Sequence, residues 1–496
     1  MKKLYSIALI VTVLLLGLAC QREEFATGSS DNIELSVDTI SFDTIFTQVG
    51  SVTQLFKIYN RHDRYIKISR AYLKEGAASN FRIKIDGFSA DAFNNIEVPP
   101  KDSLFVFIEV TLDPNGGNLP LVIYDAVVFE TNGNISEVTL EAFGQDVHLL
   151  RGKIIETQTW TNDKPYLIYN GVAIDSNHTL TIEAGTKVYF HFNASLIVWG
   201  NLDVKGTFTE PVVFEGDRFD MGYGETAGRW GTIFIHPRSR GNRVNYAIIK
   251  NAQVGLQVGE PGEDTRVPSL ELKNTIIRNS SFASVVAFGA EITSYNCIFA
   301  DSQFNGLTLL MGGKYNFYHS TISMVGALES NVAITRYLRK SPSYAVLLTN
   351  WYGPYYYLDE YYFVDEKTLS RELTEANFFN SIVYGNNNIE FEEDDNGESG
   401  FSYFFDHCLL KQPEDSLDIS DETHFNQVVL NEYPRFVNDS VILGELNYRL
   451  DTLSPAKDIG SLDIVNAQLE FLEYDYDGNS RTADGKPDLG AFERQE

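Results

Sequence analysis

Apolar and polar residues alternate along most of this chain with a period of two. Leu270-Glu271-Leu272, Leu307-Thr308-Leu309 and Phe81-Arg82-Ile83-Lys84-Ile85 are examples. Such alternation turns one face of an extended segment to a core and the other to water, so it predicts β-strands. The 3.6-residue spacing of amphipathic helices does not recur with it. Clusters of Gly, Pro, Asn and Asp separate the runs and predict turns.

Within this pattern one short unit recurs. It reads Asn274-Thr275-Ile276-Ile277, Asn296-Cys297-Ile298-Phe299 and His319-Ser320-Thr321-Ile322. It returns as Asn380-Ser381-Ile382-Val383 and His407-Cys408-Leu409-Leu410, with Tyr246-Ala247-Ile248-Ile249 as a variant at the front. Steps of 22 to 28 residues separate the first four copies. Periods of this size mark stacked supersecondary units. Strands at that period predict a β-solenoid, each coil hydrogen-bonded to the next. Ile276, Ile298 and Ile382 share one position of the unit and are expected in vertical register through a dry interior. Asn274, Asn296 and Asn380 directly follow an alternating strand. There a side-chain amide can bond to the next coil, and asparagine tolerates a left-handed turn. His319 and His407 take the same position and read as ladder members, since no His-x-His or His-x-x-x-His spacing supports zinc. Cys297 and Cys408 read as small buried residues, neither bridged nor catalytic.

Ahead of the repeats, residues 34–149 carry about seven strand-like runs. Leu55-Phe56-Lys57-Ile58-Tyr59 and Leu104–Val110 are two, and Pro99-Pro100-Lys101-Asp102 and Asp113-Pro114-Asn115-Gly116-Gly117 are turns between runs. Short strands and regular turns predict an antiparallel sandwich of immunoglobulin type. The order from Phe42 and Val49 through Phe56–Asn60 to Val138–Gly144 resembles bacterial Ig-like domains related to the major-sperm-protein and Hydin group. That resemblance implies a spacer or docking module without chemistry.

From about residue 150 the string changes character. It reads Leu180-Thr181-Ile182-Glu183-Ala184-Gly185-Thr186, then Ala194-Ser195-Leu196-Ile197-Val198-Trp199-Gly200-Asn201-Leu202, Pro211-Val212-Val213-Phe214 and Trp230-Gly231-Thr232-Ile233. This resembles the first coils of right-handed parallel β-helix proteins of the pectin-lyase-like superfamily. The chain closes on Asp475-Tyr476-Asp477-Gly478-Asn479-Ser480-Arg481 and Pro487-Asp488-Leu489-Gly490-Ala491-Phe492-Glu493, which resembles the ending of secreted bacterial β-helix proteins and implies a C-terminal cap. The expected fold is therefore all-β: an N-terminal Ig-like β-sandwich followed by a right-handed parallel β-helix over residues 150–455, with an aromatic-rich insertion about 326–375 and a cap over 456–496. The insertion explains the long step from His319 to Asn380. A second, acidic excursion runs from Glu390 to Gly400.

Composition adds a constraint. Lys and Arg number 39 against 68 Asp and Glu, a formal charge of −29. An acidic field of that size disfavours nucleic acid and anionic membrane surfaces as partners. Hydrophobic content is 43%, enough for a large core. Residues 1–20 start Met-Lys-Lys, run apolar from Ile7 to Leu18 and end Ala19-Cys20. A basic start and short apolar core read as a secretory signal. Ala19-Cys20 resembles a bacterial lipobox, which implies that Cys20 carries a lipid and anchors the chain in the outer membrane of a cell envelope. Gln21-Arg22-Glu23-Glu24 resembles the acidic tag of surface-exported lipoproteins, and residues 21–33 read as a flexible tether.

Three candidate sites follow. The aromatic insertion offers Trp351, Tyr352, Tyr355, Tyr356 and Tyr357, whose rings could stack on sugars; the alternative is that they pack against the solenoid. Arg229, Arg238, Arg240 and Arg243 form a local basic cluster that could hold an acidic sugar with Arg336, Arg339 and Lys340 beside it. Asp475, Asp477 and Asn479 have the first three spacings of a calcium loop. Ser480 and Lys486 stand where that loop needs glycine and glutamate, so an Asp-held turn competes with Ca²⁺. No other cofactor is indicated, and no nucleophile elbow, phosphate loop or dinucleotide fingerprint is present. No catalytic residue is assigned and the oligomeric state is open. The leading expectation is a non-enzymatic, lipid-anchored surface protein that binds glycan or another surface component. The alternatives are a polysaccharide lyase or glycoside hydrolase, and a purely structural envelope protein.

Overall fold

The structure is a computed structural model. It describes residues 24–494 apart from 115–120, 220–224, 263, 326–342, 360–361, 415, 440–446 and 484, with the backbone alone for residues 354–367. Cys20, Arg336, Arg339 and Lys340 lie outside the described residues, as do the side chains of Tyr355, Tyr356 and Tyr357. The chain is all-β and divides into two compact units, Met1–Val147 and His148–Glu496.

The first unit holds two five-stranded sheets. One runs, in spatial order, Glu34–Leu35, Gln54–Tyr59, Ser103–Val110, Phe81–Ile85 and Phe88–Ala90. The other runs Thr39–Phe46, Asn134–Gln145, Leu121–Thr131, Ile66–Leu73 and Ala92–Val98. Pairing is antiparallel except between Thr39–Phe46 and Asn134–Gln145, which run parallel. The alternating residues meet between the sheets, with Phe56 and Phe129 edge-on at 6.0 Å and Phe42 against Phe81 at 5.9 Å.

The second unit is dominated by one sheet of 26 strands. Its strands pair in parallel with the strand about one repeat further on, and the chain visits three ladders in turn. The first ladder includes Leu196–Val198, Ile233–Ile235 and Val254–Val258. The second includes Asn201–Lys205, Asn242–Asn245 and Ser269–Lys273. The third includes Ala247–Lys250, Ile276–Arg278, Ile298–Ala300, Thr321–Met324 and Ile382–Gly385. Like side chains stack inside. Phe317, Phe378, Phe405 and Phe425 form a column with successive ring centres 5.1, 4.6 and 5.9 Å apart.

The repeated unit turns the corner between the second and third ladders. Asn274, Asn296, His319, Asn380 and His407 have φ of 48, 52, 45, 48 and 50°, all left-handed. Asn296 Nδ2 donates to Asn274 Oδ1 at 3.1 Å, and Asn380 Nδ2 meets His319 Nε2 at 2.9 Å. His319 is fully enclosed, and burial holds its pKa well below the ordinary imidazole range, so it is neutral in the ladder. The next residue points inward and is small: Thr275, Cys297, Ser320, Ser381, Cys408. Both cysteines are free and buried, and burial pushes the Cys297 thiol up to about 11.

That small inward residue corrects the reading of the isoleucines. Ile276 and Ile298 pair directly, and Ile382 follows through Thr321, so they do share a column. The column faces out of the coil interior; Ile277, Phe299, Ile322 and Val383 fill the inside. Ile298 and Ile382 are nonetheless buried, under Tyr476, Leu489, Ala491 and Phe492. The C-terminal segment therefore lies along the flank of the stack, across several coils, where an end cap is expected from the sequence.

Candidate binding groove

In the strands Asn201–Lys205, Asn242–Asn245 and Ser269–Lys273 the apolar residues Leu202, Val204, Val244, Leu270 and Leu272 enter the core. Alternation turns their neighbours outward. Register then builds two vertical columns, Asp203–Arg243–Glu271 and Lys205–Asn245–Lys273, one residue per coil. Lys205 Nζ lies 3.4 Å from Asp203, and Arg243 Nε lies 3.8 Å from Glu271. Cations and carboxylates thus interleave, three cations to two carboxylates, within an acidic protein. Arg243 is 69% exposed in its side chain, so its pair contributes little to stability and leaves its donors free to exchange partners.

Above Lys273 the column becomes aromatic. Tyr295, Tyr318 and Phe379 occupy successive coils with ring centres 5.2 and 4.8 Å apart. Two short helices of the C-terminal segment, α1 (Leu462–Ala467) and α2 (Leu469–Leu472), lie against them. Phe471 stacks on Tyr295 at 4.6 Å, and Lys273 Nζ sits 5.3 Å from the Phe471 ring centre. Burial pushes the Tyr295 hydroxyl up to about 12, so it stays protonated at neutral pH.

The columns and this wall enclose two adjoining hollows. One of about 250 Å³ lies over Asp203, Lys205, Arg243, Glu271 and Lys273. The other, about 310 Å³, lies between Asn245, Lys273 and Asn274 on the coils and Glu470, Phe471 and Tyr474 on the segment. They share Asn245 and Lys273 and form one trough. Its rim offers donors and acceptors in alternation with an aromatic ring at one side. That chemistry suits a hydroxyl-rich chain lying along the stack more than a fully enclosed small molecule.

The expected sites fall elsewhere, with one exception. Arg243 lines the trough. Arg238 and Arg240 are exposed on the turn before Asn242, where the acidic loop of Glu260 and Asp264 shares the electrostatics of His236 and Arg238. Arg229 is half-buried at a different corner, its amide bonded to Asn251 O. The four arginines therefore do not form one basic patch. Trp351 and Tyr352 begin a hairpin, Trp351–Asp359 with Tyr362–Ser370. Tyr352 packs edge-on against Phe288 at 5.2 Å, beside Leu310 and Leu369, so the base of the hairpin is seated on the outside of the first ladder. Asp475 accepts from the amides of Asn479 and Glu493, both at 2.6 Å, and from Asn479 Nδ2 at 3.1 Å. Asp477 pairs with Arg449 at 2.5 Å. Asp475, Asp477 and Asn479 thus form a hydrogen-bonded turn, and among the described residues no group of three or more His, Cys, Asp and Glu side chains is arranged to hold a metal.

One cluster escapes the sequence reading. Tyr169, His191 and Asp217 stand on successive coils at one corner. The rings of Tyr169 and His191 stack at 4.0 Å, and His191 Nδ1 lies 2.8 Å from Asp217 Oδ2. Burial raises the Asp217 carboxyl, and burial together with Asp217 pushes the Tyr169 hydroxyl up to about 12. The spacing of the three residues matches the coil period, which is the only trace of the cluster in the sequence.

No family model matches this chain, and no curated protein matches it. Solved structures similar to parts of it include a family 123 glycoside hydrolase from Clostridium perfringens, at 5% identity and a TM-score of 0.17 over 25% of this chain and 30% of that one. The PapD-like domain 7 of human CEP192 matches at 13% identity and a TM-score of 0.16, over 23% of this chain and 85% of that one. The catalytic unit of a GH87 α-1,3-glucanase from Streptomyces thermodiastaticus matches at 10% identity and a TM-score of 0.17, over 76% and 89%. Likeness at these scores carries no argument about fold or activity.

Proposed function

We propose that the chain is an envelope-anchored, non-enzymatic protein that binds a neutral glycan along the trough beside the C-terminal segment. Its second unit is a right-handed parallel β-helix, and its first is an Ig-like module that follows the lipid-bearing Cys20 in sequence. The observation that carries this reading is the pair of columns Asp203–Arg243–Glu271 and Lys205–Asn245–Lys273, with Phe471 at their side. Lys205 and Arg243 already lie beside Asp203 and Glu271, which favours hydroxyl groups over a polyanion, because a polyanion would have to displace those carboxylates. A glycan array and a polysaccharide-degradation screen on residues 24–496 test the proposal. Retention of neutral polysaccharide without new reducing or unsaturated ends supports it; release of such ends refutes it.

The alternative is a hydrolase centred on Tyr169, His191 and Asp217. A carboxylate on Nδ1 orients the other imidazole nitrogen outward, as a general base requires. In that case His191→Gln abolishes product release in the same screen.

A further inference from the structure

Solenoids are held by nearest neighbours. Each coil touches those above and below, so stability is close to a sum of local terms, and coils can open separately. The C-terminal segment of this chain adds contacts of a different kind. Tyr246 Oη donates to Tyr476 O at 3.2 Å. Asn296 Nδ2 donates to Tyr474 O at 2.9 Å and its Oδ1 accepts from Arg481 at 3.1 Å. The amide of Ala491 donates to Thr321 Oγ1 at 3.1 Å. Asn380 exchanges two bonds with Ser461, at 2.8 and 3.0 Å, and its carbonyl accepts from the amide of Gly490 at 2.8 Å. Tyr246, Asn296, Thr321 and Asn380 belong to four different coils. None of these contacts involves residues 148–205.

The seating is specific. Gly490 has φ +86°, and a Cβ there would stand 2.6 Å from Thr321 Oγ1 and 3.1 Å from Ile382 Cδ1. Arg481 is fully enclosed, with Glu493 and Gly490 O from its own segment and Asn296 from the coils as partners. A half-seated segment would leave a guanidinium out of water with part of its partners missing, which is costly. Intermediate states of docking are therefore disfavoured.

We propose that residues 456–494 form a clasp that couples the coils from Tyr246 to Asn380 into one cooperative unit. Opening any of these coils requires release of the whole clasp, while the coils of residues 148–205 open on their own. The clasp makes the stability of coils in mid-chain depend on the last forty residues.

Native-state hydrogen exchange across a urea series on the full chain tests this. The strands Ala247–Lys250, Ile276–Arg278, Ile298–Ala300 and Ile382–Gly385 should converge on one opening free energy with one urea dependence. Thr179–Glu183 and Asn201–Lys205 should open separately and sooner. In Gly490→Val the shared protection should fall by at least about a hundredfold and the four strands should separate. Opening energies graded coil by coil through the wild-type strands would overturn the proposal, as would unchanged exchange in Gly490→Val. The wild-type pattern alone decides if that variant does not fold.

Discussion

Arg481 donates to Asn296 Oδ1 at 3.1 Å across 185 residues of sequence, from inside a site with no exposed surface. The same guanidinium pairs with Glu493 at 3.0 Å. Removing one member of an enclosed ion pair leaves the other charged and out of water, at a cost of about 3–5 kcal/mol. Arg481→Met should lose that much in urea denaturation. Arg481→Met combined with Glu493→Gln should recover part of it, because the carboxylate bonded to the guanidinium is neutralised, while Asp475 and Asp488 still lose their countercharge. Equal losses in the single and double variants would contradict this.

The corner asparagines combine two tasks, and substitution separates them. Asn274 holds φ 48° and accepts from Asn296 Nδ2. Asn274→Gly keeps the left-handed backbone and loses the side-chain bonds. Asn274→Ala loses the bonds and also strains the backbone, by about 1–2 kcal/mol. Thermal denaturation should rank wild type above Gly and Gly above Ala. Ala above Gly would show that the backbone conformation is not the constraint.

Stability should rise on mild acidification. Burial raises the carboxyls of Asp475, Asp488 and Asp217 above their ordinary range. A carboxyl with a raised folded-state pKa holds its proton more tightly folded than unfolded. The folded chain then binds more protons in that window, so stability falls as pH climbs through the raised values and is recovered as pH drops back. The net charge of −29 acts in the same direction, since self-repulsion weakens as carboxylates protonate. The melting temperature should rise as pH is lowered from neutrality into the range just above the ordinary carboxylate values, where the raised carboxyls take up protons. A melting temperature that falls over that interval would contradict this.

Binding and packing should respond to different residues. Arg243→Ala removes an exposed donor from the trough and should weaken glycan binding about tenfold with the melting temperature unchanged, whereas Lys273→Ala should weaken binding and also loosen the contact with Phe471. Tyr352→Ala removes a ring seated on Phe288 and should lower stability by about 1–3 kcal/mol with binding retained. Arg238→Ala should change neither.

The stacking of coils was legible because Asn274, Asn296 and His319 return at steps of 22 and 23 residues and asparagine suits both the backbone and the bonds of that corner. The facing of Ile276 was not, because a strand position is inward or outward by parity, and Thr275 and Cys297 are small enough to read either way. The flank position of the C-terminal segment was hidden for another reason. Arg481 meets Asn296 through tertiary contact alone, and nothing local to Asp475–Arg481 distinguishes a lateral clasp from an end cap. The trough was illegible in principle: Lys205, Arg243 and Lys273 alternate with aliphatics as on any solvated strand. Only register brings them into columns. The aromatic insertion was conspicuous in sequence, yet aromatic content does not say whether a ring such as Tyr352 faces the protein or the solvent.

Hydrogen exchange of residues 24–496 with and without a retained neutral polysaccharide tests the binding face most directly. New protection is expected in Asn242–Asn245, Ser269–Lys273 and Leu469–Tyr474, and its loss in Arg243→Ala. Protection confined to the hairpin Trp351–Ser370 or to the corner of His191 would contradict this expectation.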